Sequence, residues 1–322
     1  MIVSIGAVVL LRLCGWRLRS ELQHEIDERT RRAARAPRVA TRSDIRVLTH
    51  NVWAHYFVAA PERSKRMKLL IDYVAADPID VVCVQELFVL SVGPFVFAPH
   101  WQMVASELEK RGFVHQTNPL QSSRALFQNS GLCSFSRLPL DGEAQFTAFA
   151  TTAEVLNNKG FELLHVDGRL ALINTHFDSR KHTQAAQRDQ IAAAVRGEQT
   201  GPLLAVGDWN ISSGDPATFG ALSGALGLTC AFVDAFGNKA TFRPSKPSNV
   251  RLFLQQITLG VLGRPVWPAS AGSRRSKHDN DCIDHAFTRG LKASKIELID
   301  IASIDGVPLS DHFGIALNVA HD

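Results

Sequence analysis

The sequence lacks several features that would place it at once. Only five cysteines occur among 322 residues, at 14, 83, 133, 230 and 282, and none forms a Cys-x-x-Cys pair. An odd, scattered set argues against a disulfide framework and against a clustered-thiolate zinc site. Cys83 and Cys133 lie inside apolar runs and read as buried free thiols, which suits an intracellular setting better than secretion. No Gly-x-Ser-x-Gly elbow is present, so a Ser-His-Asp esterase lacks its nucleophile. No Gly-x-x-x-x-Gly-Lys-[Ser/Thr] loop is present, which removes the usual cradle for nucleotide phosphates. No internal repeat or low-complexity tract interrupts the chain. Hydrophobic residues make up 45% and charged residues 20%, an ordinary globular balance.

A broad basic surface is also missing. The formal net charge is +4, but residues 12–42 alone hold nine Arg against four acids. The rest of the chain is therefore close to neutral, with a sum of −1. That argues against general nucleic-acid binding, which needs a basic stripe to displace counterions. The apolar stretch 2–11 stops at Arg12 and is about half the length of a membrane-spanning helix. It reads either as a membrane-touching anchor or as a short packing helix. Residues 17–38 read as an Arg-rich helix flanking the domain, with a solvated face favoured over a binding arm. The expected division is an N-terminal segment, 1–43, and one catalytic domain, 44–322.

From residue 44, short apolar runs alternate with helical patterns. Strands are expected at Ile45–Leu48, Ile79–Val84, Gly131–Phe135, Gly160–Val166, Leu170–Ile173, Leu203–Val206, Cys282–Thr288 and Gly314–Val319. Helices are expected over 62–76, 101–111 and 183–196. Met67, Leu70, Ile71 and Val74 share one face of the first, and Asp77-Pro78 stops it. The order implies one α/β domain with a layered core. Residues 250–278 break the pattern with Leu252, Phe253, Leu254, Val266 and Trp267, followed by Arg274, Arg275 and Lys277. They read either as a lid or membrane-facing insertion, or as a packed excursion.

Polar residues gather at the strand edges. Asn51, Glu86, His176, Asp208, Asn210, Asp284, Asp311 and His312 each fall at or near the end of an expected core strand. Packing does not need them there, and a carboxylate at a strand end is unfavourable unless paired or bound to a metal. Carboxylate and amide oxygens are hard ligands that suit Mg²⁺, Mn²⁺ or Ca²⁺. Such a cation polarises a phosphorus centre, and the two His supply a base and a phosphate contact near neutral pH. Gly207 is read as a tight turn or a close approach to phosphate.

At these residues the sequence resembles the endonuclease/exonuclease/phosphatase superfamily, and within it the neutral sphingomyelinase branch. The resemblance runs from about Ile45 to Val319. It is carried by Thr49-His50-Asn51-Val52-Trp53, Val84-Gln85-Glu86, Gly131 to Leu140, Asn158-Lys159-Gly160, Asn174-Thr175-His176, Gly207-Asp208-Trp209-Asn210, Ile283-Asp284-His285 and Leu309-Ser310-Asp311-His312. Trp53, the Gly131–Leu140 run and Lys159-Gly160 point to the branch. Two positions depart from it: Phe177-Asp178 stand where sphingomyelinases commonly have Leu-His, and Cys282 stands where Arg is usual.

The resemblance implies a DNase I-like fold, a four-layer α/β sandwich of two facing mixed β-sheets flanked by helices. It implies Glu86, Asn51 and Asp311 as the metal set, with Mg²⁺ expected and Mn²⁺ or Ca²⁺ as alternatives. Asp208 and Asn210 would place the attacking water, His312 would be the base oriented by Asp284, and His176 would contact the phosphoryl group. Arg137 and Lys159 would bind substrate. The expected reaction is phospholipase C-type cleavage of a phospholipid such as sphingomyelin at a membrane surface. Membrane contact would run through the N-terminal segment or 250–278. A nuclease or phosphoinositide phosphatase of the same fold, and an inactive binding or scaffold module, are the rivals. Oligomeric state is left open.

Overall fold

The computed structural model describes residues 12–37, 42–56, 62–198, 201–242, 281–302 and 308–321. The apolar stretch 2–11 and the 250–278 segment lie outside the described residues.

The chain opens with a short strand, β1 (Arg17–Leu18), and helix α1 (Arg19–Ala33). Then follow β2 (Ile45–Asn51), α2 (Arg63–Ala76), β3 (Val81–Gln85), β4 (Leu90–Val92), β5 (Phe95–Phe97) and α3 (Pro99–Glu109). Next come β6 (His115–Gln116), β7 (Leu126–Gln128), β8 (Cys133–Ser136), β9 (Gln145–Ala148), β10 (Gly160–Val166) and β11 (Leu170–His176). Helix α4 (Lys181–Gly197), β12 (Leu203–Asp208), α5 (Pro216–Leu226), β13 (Thr229–Cys230) and α6 (Ala231–Phe236) precede the last three strands. These are β14 (Asp284–Arg289), β15 (Leu291–Ile299) and β16 (Gly314–His321).

Two six-stranded mixed sheets form the body, in the orders β15-β16-β2-β3-β8-β6 and β13-β14-β12-β11-β10-β9. The period-2 geometry of a strand divides its side chains between two faces. Val81 and Cys83 of β3 enter the core shared with the second sheet, while Val82 and Val84 enter the core under α2 and α3. Val47 and Leu48 of β2 divide the same way. On the far side, Ile191 and Val195 of α4 and Leu222 and Leu226 of α5 cover the second sheet. The result is the four-layer α/β sandwich: helices, sheet, sheet, helices.

Helix α1 belongs to this body rather than to a separate solvated segment. Its Leu22 and Ile26 are buried among Trp101, Val104 and Leu108 of α3. Its Arg29 is 6% exposed and pairs with Glu25 and Glu109. The Arg-rich composition hid an apolar stripe three or four residues apart.

Two parallel pairings set the polarity of the site. Strand β2 runs parallel to β3, and β11 parallel to β12. Their C-terminal ends hold Asn51 beside Gln85, and His176 beside Asp208. Antiparallel β14 starts where β12 ends, pairing Asp284 with Asp208. Antiparallel β16 starts beside the end of β2. Six separate stretches of sequence therefore meet at one end of the sandwich.

Candidate active site

Asn51 sits at the centre of this end. Its Nδ2 donates to Glu86 Oε1 at 3.2 Å and to Asp208 Oδ2 at 3.0 Å, bridging the two sheets. Its Oδ1 accepts from Trp53 N at 3.0 Å and keeps a second lone pair. Below, Gln85 donates to Thr49 and Asn174, and Asn174 donates to Ser134, whose hydroxyl donates to Glu162. This buried polar layer ties the sheets together under the site. Burial pushes the Glu162 carboxyl up to about 7.

The backbone is held in unusual conformations here. Trp53, Glu86 and Asn210 have φ of 48°, 61° and 49°, each one to two residues past a strand end. Such left-handed residues store roughly 1–3 kcal/mol each and cluster where side chains must be aimed. Buried Arg66 supports the first of these turns, donating to Val52 O, Trp53 O and Leu309 O. Gly207 has φ of 140°, and a Cβ there would lie 2.0 Å from Thr175 O on the neighbouring strand. The glycine is required by strand-to-strand approach, which corrects the reading of it as a turn or a phosphate contact.

His312 is buried between two carboxylates. Its Nδ1 lies 2.9 Å from Asp284 Oδ2 and its Nε2 3.7 Å from Asp208 Oδ2. Burial works against its charge, but Asp284 and Asp208 outweigh that and hold its pKa well above the ordinary imidazole value. Burial works against Asp208 too, yet the cations around it, His312 first, hold its carboxyl low. Asp284 is raised by burial and by the Asp208 charge, with His312 opposing. Buried Thr241 accepts from the amides of Ile283 and Asp284 through Oγ1 and fixes the start of β14.

On the other side, Lys159 Nζ lies 2.5 Å from His176 Nε2 and 3.5 Å from Glu154 Oε2. The same Nε2 lies 3.4 Å from Asp208 Oδ2 and 3.8 Å from Glu86 Oε1, so this edge of the ring faces the carboxylates. Nδ1 is buried with no protein partner. Burial pushes the Glu154 carboxyl up, but the Lys159 and His176 charges and the Asn157 hydrogen bond together outweigh it and leave it at about 2. Buried Asp178, one of the two departures from the branch, accepts from Ala153 N and Thr152 Oγ1 and so anchors the loop that carries Glu154. Asn210 donates from Nδ2 to Phe177 O. Burial and the Glu86 charge push the Asp311 carboxyl up to about 6 against the pull of His312.

The structure thus gathers Asn51, Glu86, Lys159, His176, Asp208, Asn210, Asp284, Asp311 and His312. It does not bring Arg137 to them. Strand β8 runs antiparallel to β3, so Ser136 pairs with Val81 at the opposite end of the sheet. Arg137 there lies over the Phe113 ring at 4.5 Å, and its amide donates to Asp80 O. The substrate-binding assignment of Arg137 is therefore corrected. Sequence reading also passed over Arg66, Glu154 and Thr241. Lone side chains away from strand ends carry no pattern.

The residues present fit a hard cation. Glu86 Oε2 is buried without a partner among the described residues, beside Asn51. Asp208, Asp284 and His312 also place one ligand atom each within 4.8 Å of one another. In that second group the Asp284–His312 hydrogen bond already uses the imidazole, so the Glu86 side is the better cation site.

The endonuclease/exonuclease/phosphatase family model matches residues 48–312. The chain belongs to the endonuclease/exonuclease/phosphatase family. Among solved structures it is similar to a beta toxin of Staphylococcus aureus, at 18% identity and TM-score 0.57, covering 85% of this chain and 99% of that one. It is also similar to sphingomyelinase C of Streptomyces griseocarneus, at 15% identity and TM-score 0.56, covering 86% and 99%. A third likeness is to D. rerio TDP2 complexed with a single-strand DNA product, at 17% identity and TM-score 0.56, covering 86% and 99%. At these identities the likenesses concern the fold of this endonuclease/exonuclease/phosphatase family member. No curated protein matches the chain in sequence. Among the described residues no helix is long and apolar enough to cross a membrane.

Proposed function

We propose that the protein hydrolyses a phosphodiester of a phospholipid such as sphingomyelin, with a divalent cation, releasing the phosphorylated head group. The observation that carries this reading is the convergence of Glu86, Asp208 and the Nε2 edge of His176, with Glu86 Oε2 buried and without a positive partner. A cation satisfies Glu86 Oε2, and a phosphoryl oxygen beside it meets the imidazole.

Glu86, Asn51 and Asp311 would hold Mg²⁺, or Mn²⁺ or Ca²⁺ in its place. When bound, the cation supplies neutralisation of phosphate charge. His176, with Lys159 behind it, donates to a phosphoryl oxygen and steadies its growing charge. Asp208 and Asn210 hold the attacking water. His312 in its neutral form accepts the proton of that water, and Asp284 keeps the imidazole oriented and stabilises the imidazolium. The water oxygen bonds to phosphorus, the bond to the lipid alcohol breaks, and the alcohol leaves with a proton from solvent.

The lipid assignment is supported by the near-neutral charge outside residues 12–42 and by the Lys159-Gly160 and Gly131–Leu140 stretches. The likeness to TDP2 with DNA favours a second reading as a nuclease. The test incubates purified protein with sphingomyelin vesicles and with single-stranded DNA, in Mg²⁺ and in EDTA. Lipid turnover that EDTA stops and Mg²⁺ restores is expected. Turnover indifferent to EDTA ends the cation mechanism, and DNA cleavage without lipid turnover ends the lipid assignment.

A further inference from the structure

Arg137 is left over from the active site, and the structure gives it another setting. It lines a groove of about 720 Å³ between the C-terminal half of α1, strand β6 and the connection from β8 to β9. Strand β8 carries Arg137 to the end of the sheet opposite Glu86, and none of the residues gathered at the active site lines this groove. On the α1 side the wall is apolar, with Ile26 and Ala33 buried.

The floor holds donors without acceptors. The Arg137 amide donates to Asp80 O at 2.9 Å, and its guanidinium lies 4.5 Å over the Phe113 ring. Nε is buried with no acceptor, and no carboxylate among the described residues pairs with the group. Arg29 and Arg46, also sheltered, both close on carboxylates. Gln116 Nε2, in the same groove, is buried and lacks an acceptor too. The β6–β8 register sets His115 opposite Ser136, the neighbour of Arg137. Burial lowers the His115 pKa, so its neutral ring donates through one nitrogen. Sheltered donors are unfavourable until something accepts from them. A guanidinium already stacked on a ring loses little freedom when a ligand does so.

The rim carries the other sign. Asp27 and Glu143 line the groove and are exposed. Their partners are neutral amides: Gln23 donates to Asp27 at 2.8 Å, and Gln121 to Glu143 at 2.5 Å. The second lining arginine, exposed Arg31, is taken by Glu28. An anion alone would meet the rim acids, and a cation alone would leave the floor donors bare. A ligand with one anionic and one cationic end meets both. Guanidinium and phosphate match, two N–H groups to two oxygens, and a third phosphate oxygen remains for Gln116 or His115. A carboxylate has no third oxygen.

We infer that this groove binds a small phosphorylated amine, its phosphate on Arg137 and its cationic end toward Asp27 and Glu143. The head group released by the proposed reaction is of this class, but the binding needs neither that reaction nor its cation. Isothermal titration calorimetry in EDTA compares phosphocholine, inorganic phosphate and choline on wild type, Arg137→Met and Glu86→Gln. Methionine keeps an apolar contact with Phe113 and removes every donor. Phosphocholine should bind wild type and Glu86→Gln alike. Arg137→Met should bind it at least about tenfold more weakly, the usual weight of a hydrogen bond to a charged group. Phosphate and choline should each bind wild type more weakly than phosphocholine does. Circular dichroism checks that Arg137→Met is folded; if it is not, Gln116→Leu must weaken phosphocholine in its place. Wild type that binds no phosphocholine below about 10 mM overturns the inference. So does binding that Glu86→Gln abolishes and Arg137→Met leaves alone, which puts the ligand in the active site. Phosphate or choline that binds as tightly as phosphocholine overturns the two-ended ligand. Groove binding in a protein that turns over no lipid would end the proposed reaction and leave this site standing.

Discussion

Strand β2 carries an ionisable cluster at each end, and the two differ in how completely their atoms are paired. At its start, Arg46 is 6% exposed and each of its guanidinium nitrogens has a partner. It contacts Asp77 through Nε and Nη2 at 2.7 and 3.0 Å, Asn318 through Nη1 at 2.9 Å, and Glu297 through Nη2. Charge and hydrogen bonds close on themselves there. At its end, Asn51 bridges two carboxylates, Glu86 Oε2 and His176 Nδ1 have no partner, and three left-handed residues surround them. The closed cluster does structural work and the open one is arranged for a ligand. Burial and charge alone do not separate them; unsatisfied atoms do.

The largest effect that would test this contrast is catalytic. His312→Ala should lower kcat/KM on the lipid substrate by about a thousandfold, the usual size of a lost general base, while the circular dichroism spectrum stays native. A loss below about tenfold would break the assignment of the open end. Next in size is a stability effect at the closed end. Arg46→Ala strands Asp77 and Asn318 and should lower the unfolding free energy by about 3 kcal/mol in urea. The lower end of the usual range applies because Asp77 and Glu297 keep contact with water. Its kcat/KM per folded molecule should stay within about twofold of wild type. If instead Arg46→Ala lost activity at full stability, the division between the ends would fail.

The smallest effect concerns pH. In metal-free protein, His312 should titrate above the ordinary imidazole value by NMR, and Asp284→Asn should bring it down. The sign follows from the carboxylates, which favour the imidazolium. That raised pKa contributes stability that is complete below the unfolded-state value and is lost as pH rises through the folded one. Asp284→Asn should therefore reduce stability more at acidic pH than at alkaline pH. An unchanged His312 titration would mean that Asp208 alone sets it.

Much of the site was legible from strand ends. Asn51, Glu86, His176, Asp208, Asp284 and His312 each follow or open an apolar run, and such runs announce themselves by composition. The strands at Gly160–Val166 and Leu203–Val206 were visible for the same reason, the second running on to Asp208. Arg137 was misplaced because a motif tells which residues travel together, not which end of a strand they occupy. The sheet β1-β5-β4-β7 went unseen because its strands are two or three residues long, too short for a period to show. Strand β15 went unseen because its Lys292, Lys295 and Glu297 belong to a solvated edge. The Arg-rich stretch looked solvated because charge count masked Leu22 and Ile26.

By itself the sequence determined the alternation of strands and helices, an α/β domain with a layered core and the identity of the polar strand-end residues, while the four-layer class came from the family resemblance. Local propensity and hydrophobic period suffice for that, since each acts within a few residues. The tertiary structure alone decided which polar atoms are left unpaired and that Gly207 answers to Thr175 rather than to a ligand. Those outcomes depend on register and on contacts between residues up to hundreds of positions apart, such as Asn51 with Asp208 or Arg66 with Leu309, which no local pattern encodes.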